Sequence, residues 1–315
     1  MGFEAAGCQC VLTCEIDKFA RTTYLANFKA DHPVHDDIRT LKPEDIPPHE
    51  ILVAGFPCQP FSTAGVSKRN SLGRPHGFMD QTYGTLFFEI AKILQKHRPK
   101  AFLLENVKGL VHHDGGKTMA TILGVLENDL GYHVTWRVID SSPWVPQRRK
   151  RIYIAGFRDL TGFSFDGIEV PPEPWPKLGS ILHPEDGTEP AEPPYTLDDG
   201  AVNPKYTLSD VAWAGANKHK FAKATRGFGY ELYGPDDVAR TLISSYWVEI
   251  LIRQKGKNPR RLTPRECARL MGFDGPGKKR FEIPVSDSRA YQQFGNAVVP
   301  PLIEAIAREM VKHLA

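Results

Sequence analysis

Glu50-Ile51-Leu52-Val53-Ala54-Gly55-Phe56-Pro57-Cys58-Gln59-Pro60-Phe61-Ser62 is the stretch that decides the fold. Ile51-Leu52-Val53 is an apolar run of the length of a buried strand. Gly55 and the prolines at 57 and 60 then stop that strand and impose a rigid loop. Cys58 thereby falls just past the carboxyl end of a strand, the edge where open α/β sheets bind ligands. A thiol there is a nucleophile when its neighbours favour the thiolate, and otherwise a small buried hydrophobe in a tight turn.

Other polar groups gather at the same edge. Residues 11–16 predict a strand that delivers Glu15 and Asp17, and a helix follows with Ala20, Tyr24 and Phe28 spaced four apart. Val34-His35-Asp36-Asp37-Ile38 predicts a second acidic strand end or loop. Two carboxylates at successive strand ends suit a nucleoside, one accepting from ribose hydroxyls and the other from an adenine amino group; the same residues also cap helices or face water. Ala101-Phe102-Leu103-Leu104 predicts a further buried strand ending in Glu105-Asn106-Val107. A carboxylate directly after four apolar residues is partly desolvated, which raises its pKa and lets it hold or donate a proton. Pro146-Gln147-Arg148-Arg149-Lys150-Arg151 sets four cations at the sheet's mouth, either as a solvated loop or as a clamp for an anion or a base.

The intervening segments predict helices with apolar stripes over Leu86 to Leu94, Met119 to Leu130 (stopped by Gly131) and Leu302 to Met310. Strands are predicted over 133–139 and 151–156. Residues 62–82 are polar, cationic and too long for a simple connector, which favours a lid or binding loop; Lys68, Arg69 and Arg74 there suit a phosphate backbone.

Near Leu160 the composition shifts. Nine prolines between 171 and 204 leave no sustained periodicity, so irregular, loop-rich structure is expected to open a second lobe. Lys218, Lys220, Lys223 and Arg226 then run into Gly227-Phe228-Gly229-Tyr230, a basic and aromatic mixture suited to nucleic acid. Thr263-Pro264-Arg265-Glu266 is a capping box with proline at the first helical position.

At 315 residues the chain can bury a large core in two lobes, and its formal net charge of +3 hints only faintly at a polyanionic partner. No apolar run approaches a membrane span and no signal-peptide pattern opens the chain. Five cysteines (8, 10, 14, 58 and 267) form no CxxC pair; Cys8, Cys10 and Cys14 have no histidine at ligand spacing and read as strand filler, so no metal is expected. The expectation is a reduced, soluble, cytoplasmic protein.

Taken together, the blocks Gly55-Phe56-Pro57-Cys58-Gln59-Pro60-Phe61-Ser62, Glu105-Asn106-Val107, Gln147-Arg148-Arg149-Lys150-Arg151, Arg261-Leu262-Thr263-Pro264-Arg265-Glu266-Cys267 and Gln293-Phe294-Gly295-Asn296 resemble, in order and spacing, those of bacterial DNA (cytosine-5)-methyltransferases. The resemblance covers essentially the whole chain. It implies an α/β, Rossmann-like S-adenosylmethionine-dependent methyltransferase sheet with a smaller, loop-rich target-recognition domain. The catalytic domain would comprise 1–159 and 285–315, and the recognition domain with its hinge 160–284.

By the same resemblance, Cys58 is the nucleophile that adds to carbon-6 of a cytosine flipped out of duplex DNA. Glu105 holds the ring nitrogen and exocyclic amine, Arg151 the carbonyl oxygen, and Arg149 braces Glu105 or a phosphate. S-adenosylmethionine is expected against Glu15, Ile16, Asp37, Ile38, Pro57, Leu86, Asn296 and Val298. DNA is expected against Gln59, Ser62, Lys68, Arg69, Lys220, Arg226 and Arg240, with a restriction endonuclease as functional counterpart. Family members open with a strand and a Phe-x-Gly-x-Gly loop, whereas this chain begins inside the following helix at Met1-Gly2-Phe3-Glu4, so the resemblance implies N-terminal truncation. Two alternatives remain open: a DNA-binding remnant without catalysis, and a tRNA cytosine-5 methyltransferase.

Overall fold

The computed structural model describes residues 1–57, 86–184, 186, 188–215, 231–245, 249–275 and 280–314. In chain order the strands are β1 (Thr13–Cys14), β2 (Val34–His35), β3 (Ile51–Gly55), β4 (Ala101–Val107), β5 (His133–Asp140), β6 (Gln147–Arg148), β7 (Lys150–Phe157), β8 (Glu231–Tyr233), β9 (Ala239–Arg240), β10 (Ile250–Gln254) and β11 (Lys257–Arg261). The α-helices that bear on the site are α1 (Gly2–Ala5), α2 (Lys18–Asn27), α3 (Leu86–His97), α4 (Lys117–Gly124), α5 (Pro264–Leu270), α6 (Asp287–Asn296) and α7 (Pro300–Val311), and residues 210–215 are also helical.

The central sheet has the order β3-β4-β7-β5. β3 and β4 run parallel, and β7 is antiparallel to both β4 and β5. Because side chains alternate across a strand, β4 sends Ala101 and Leu103 to one face and Phe102 and Leu104 to the other. The first pair joins a core with Tyr153, Ala155, Leu302 and Ile306. That core also takes in Phe165, Leu178, Leu242 and Leu262, so residues beyond 160 pack directly on the sheet. The second pair packs with Phe87, Ile90 and Leu94 of α3 and with Met119 and Ile122 of α4. Both faces of β4 are therefore buried, which accounts for its unbroken apolar run.

The expected strand at 11–16 shortens to two residues. Among the described residues β1 pairs in parallel with β2 alone, and this ribbon is separate from the four-stranded sheet. A strand with a ladder on one side has fewer hydrogen bonds to extend it. β3 likewise has β4 as its one sheet partner among the described residues, and Val53 is 50% exposed.

Helix α2 starts where the carboxylate of Asp17 accepts from the backbone N–H groups of Phe19 and Ala20, at 2.7 and 3.1 Å. The helix expected to run to Leu130 is α-helical only to Gly124 and continues as π-type turns over Val125–Asp129. The capping box at α5 is formed in both directions, with Glu266 N–H on Thr263 Oγ1 at 3.1 Å and Thr263 N–H on Glu266 Oε2 at 2.8 Å. No helix among the described residues is long and apolar enough to cross a membrane.

Candidate active site

Register brings the first elements of the site together. Gly55, the last residue of β3, is level with Glu105 on β4, which is level with Tyr153 on β7. Arg151 pairs with Val107, two positions along, so Glu105 and Arg151 share a face on a diagonal. Their side chains meet, Arg151 Nε lying 3.2 Å from Glu105 Oε1, with both mostly buried. Burial pushes the Glu105 carboxyl above its ordinary range; the positive charges of Arg151 and then Arg149 oppose that shift without cancelling it. Beneath it the Tyr153 hydroxyl is pushed upward in pKa, by burial first and by the Glu105 charge second, so it stays a neutral phenol.

Glu105 Oε2 lies where a side chain on Gly55 would touch it, 3.5 Å from an ideal Cβ. The carboxylate thus hangs over the backbone that leads, three residues later, to Cys58. A second contact fixes that backbone. Asn106 is buried, and its amide nitrogen donates to the carbonyl of Phe56 at 2.7 Å while its oxygen accepts from Val107 N–H at 2.8 Å. Asn106 has no role among the sequence expectations beyond its place in the Glu105-Asn106-Val107 block. The available signal was alternation: a polar side chain stands on the same buried face as Phe102 and Leu104.

Arg149 lies elsewhere than expected. Its terminal nitrogens donate to the backbone carbonyls of Leu242, Gly295 and Ala297 at 2.8, 2.9 and 2.7 Å, so it bonds neither Glu105 nor an exposed anion. The reason is the surroundings: Arg149 is 2% exposed, inside a junction of peptide groups that need a donor. Its pKa is pushed down to about 10 by burial first and Arg151 second, with Glu105 acting the other way, and it remains a cation at neutral pH.

The expected cofactor residues fall into two groups. Glu15, Ile16, Asp37 and Ile38 follow the parallel ends of β1 and β2. Glu15 Oε1 accepts from Asp17 N–H at 2.8 Å, and Asp37 is gripped by Arg39 through both carboxylate oxygens. Ile38 packs between two apolar clusters, whereas Ile16 is 63% exposed. Asn296 ends α6 and Val298 follows it. Helix α6 is joined to α2 by Thr23 Oγ1 on Gln293 Oε1 at 2.9 Å and by the Arg289 guanidinium over the Phe19 ring, 4.4 Å from its centroid. The two ends of the chain are thus brought side by side. Pro57 is exposed after β3, and Leu86 opens α3.

Of the expected DNA residues, Arg240 ends β9 and is paired with Glu249. Cys58, Gln59, Ser62, Lys68, Arg69, Lys220 and Arg226, with the loop 62–82 and the segment 218–230, lie outside the described residues. Among the described residues no group of three or more His, Cys, Asp or Glu side chains is placed to hold a metal ion. Cys267 is buried, and burial raises its thiol pKa well above the ordinary value, which keeps it an inert thiol.

A four-stranded α/β sheet carrying a buried carboxylate–guanidinium pair, with a separate parallel ribbon ending in two carboxylates, has the parts from which α/β folds build nucleotide sites. The family model for C-5 cytosine-specific DNA methylase matches residues 1–312. The chain is 45% identical over 313 residues to the type II methyltransferase M1.ScrFI of Lactococcus lactis subsp. cremoris, spanning 96% of this chain and 72% of that protein. It is 41% identical over 364 aligned positions to the DNA-cytosine methyltransferase of Escherichia coli K12, spanning 98% and 74%. Among solved structures, the S. pombe Dnmt2 methyltransferase superposes with a TM-score of 0.65 at 18% identity over 99% of this chain and 94% of that one, a likeness of fold. The chain belongs to the C-5 cytosine-specific DNA methylase family, whose methyl donor is S-adenosylmethionine and whose substrate is DNA.

The residues present fit that donor. Ile16 leaves a large apolar surface in solvent beside two carboxylates, an apolar face for a purine with acceptors for its amino group and for ribose hydroxyls. Asp37 and Glu15 are close enough together to raise the pKa of the Cys14 thiol between them, after the larger effect of burial.

Proposed function

We propose that this protein methylates carbon-5 of cytosine in double-stranded DNA, with Cys58 as nucleophile and Glu105 and Arg151 holding the extruded base. The observation that carries the reading is the Glu105–Arg151 pair beside Gly55, three residues ahead of Cys58. Cytosine carbon-5 is too weak a nucleophile to take a methyl group unaided. Addition of the Cys58 thiolate to carbon-6 places the electron pair on the ring, and Glu105, its pKa raised by burial, is the acid placed to donate to the ring nitrogen as that charge develops. Arg151 neutralises the base's carbonyl oxygen. Bound S-adenosylmethionine supplies an electrophilic methyl group for carbon-5. Water then takes the carbon-5 proton, the C–H electron pair re-forms the ring's 5,6 double bond and expels the Cys58 thiolate, and the ring nitrogen returns its proton to Glu105.

The base is flipped out to reach these groups, with Gln59, Ser62, Lys68 and Arg69 contacting the DNA. Residues 160–284 form the target-recognition domain, where Lys220, Arg226 and Arg240 contact DNA, and 1–159 with 285–315 form the catalytic domain. Glu15 takes the ribose, Ile16, Asp37 and Ile38 the adenine, and Pro57, Leu86, Asn296 and Val298 complete the cofactor site. The enzyme works in the cytoplasm as the modification half of a restriction system or as a solitary methyltransferase.

Incubation with unmethylated duplex DNA and methyl-labelled S-adenosylmethionine, followed by nucleoside analysis, tests this. Label in 5-methylcytosine is expected. Recovery of all label outside that nucleoside refutes the reading.

A further inference from the structure

The Arg149 guanidinium is the meeting point of two chain segments that the functional reading assigns to different ligands. One is 239–244, which begins with β9 and carries Arg240. It lies against 146–149 along its length: Ala239 N–H donates to Pro146 O at 2.9 Å, β9 pairs in parallel with β6, and Thr241 Oγ1 donates to Arg148 O at 2.8 Å. Leu242 is held at both ends of its backbone, its N–H on Gln147 Oε1 at 2.6 Å and its carbonyl on Arg149 at 2.8 Å.

The other segment is the end of α6. Arg149 holds the carbonyls of Gly295 and Ala297, the residues on either side of Asn296. The two segments also touch directly: a Cβ on Gly295 would lie 2.3 Å from the Ile243 carbonyl oxygen and 2.4 Å from Ser244 N. Movement of 239–244 against Arg149 is therefore felt at both peptide groups next to Asn296, with no slack for a side chain to absorb it.

A planar guanidinium with fixed donor directions can hold three carbonyls at once, which a lysine ammonium on a flexible stem does poorly. Among the described residues the buried Arg149 Nε has no partner, so the group's hydrogen bonds go to the carbonyls at its far end.

We propose that Arg149 is a positioning residue that couples the DNA-recognition segment 239–244 to Asn296 and Val298 on the cofactor side, so that DNA and S-adenosylmethionine strengthen each other's binding through its guanidinium. The inference rests on the functional reading above. By linkage the effect is reciprocal: whatever factor DNA adds to cofactor affinity, the cofactor adds to DNA affinity.

Calorimetric titration of S-adenosylhomocysteine, with and without unmethylated genomic DNA fragments, measures the coupling. DNA is expected to tighten the wild-type Kd by about fivefold or more, and Arg149→Lys to bring that ratio to within about twofold. A ratio near one in the wild type, or an undiminished ratio in Arg149→Lys, overturns the proposal. Should Arg149→Lys fail to fold, hydrogen exchange on the wild type decides: S-adenosylhomocysteine alone is expected to slow the amides of 239–245 by about fivefold or more, and unchanged exchange overturns it. Methyl transfer by the wild type is assayed alongside. Turnover with coupling intact in Arg149→Lys removes this inference alone; no turnover and no cofactor binding removes the functional reading and the coupling with it.

Discussion

The buried amide of Asn106 holds the carbonyl of Phe56 at 2.7 Å, tying the strand that ends in the site's carboxylate to the turn that carries its thiol. Glu105 and Cys58 are far apart in the chain, and the bond sits one residue from the first and two from the second. Replacing Asn106 by Leu leaves the Phe56 carbonyl buried without a donor, a loss of about 1–3 kcal/mol. It also frees the segment before Pro57, and misplacement of a reacting group by about 1 Å costs on the order of a hundredfold. Asn106→Leu is therefore expected to lower kcat by about 10²-fold with cofactor affinity little changed. Single-turnover methylation against calorimetric Kd checks the split, and a wild-type kcat would remove the positioning role.

The nucleophile makes a sharper prediction. Cys58→Ser replaces a readily ionised thiol with a hydroxyl and should abolish methylation while DNA binding persists, because removal of a covalent catalyst costs far more than about tenfold. Labelled methyl incorporation and a gel shift measure the two properties. A residual rate within about tenfold of wild type is incompatible with covalent catalysis by this residue.

What sequence could and could not reveal divides along physical lines. Local signals were readable because they are complete within a few residues: Asp17 capping α2, the box at Thr263 and Glu266, and the two-sided burial of Phe102, Leu103 and Leu104. The pairing of Gln147 and Arg148 with Ala239 and Arg240 joins residues far apart in the chain and leaves no local pattern. Arg149 illustrates the harder limit. Its partners are backbone carbonyls, which every residue type offers, so its side chain reads as one more cation in a basic run.

Close approach at Gly295 predicts intolerance of even one carbon. A Cβ there would stand 2.3 Å from the Ile243 carbonyl oxygen and 2.4 Å from the Ser244 nitrogen, both backbone atoms that cannot rotate away. Gly295→Ala is expected to lose stability at or beyond the upper end of the about 1–3 kcal/mol typical of overpacking. Urea unfolding measures it, and a midpoint equal to wild type would mean that 243–244 moves freely.

The pair formed by Glu266 and Arg260 sets a pH dependence. Both are buried and joined twice, at 2.8 Å each, and Glu266 also accepts from Thr263 N–H and His183 N–H. Burial by itself raises the Glu266 pKa; the Arg260 charge and these donors more than reverse that, so its folded pKa lies below the ordinary glutamate value. A depressed carboxylate stabilises the fold fully above the unfolded pKa of about 4.3 and loses that contribution as pH falls through the folded value. Glu266→Gln removes the charge that Arg260 needs, and breaking one side of a buried ion pair costs about 3–5 kcal/mol. The deficit against wild type should be full at pH 7 and shrink as pH falls below about 4.3, where Glu266 of the unfolded chain takes up its proton before that of the folded protein. Chemical denaturation of both proteins across that range provides the check; a deficit that stays constant down to the acid limit would show that packing of the α5 cap, rather than the Glu266 charge, carries the stability.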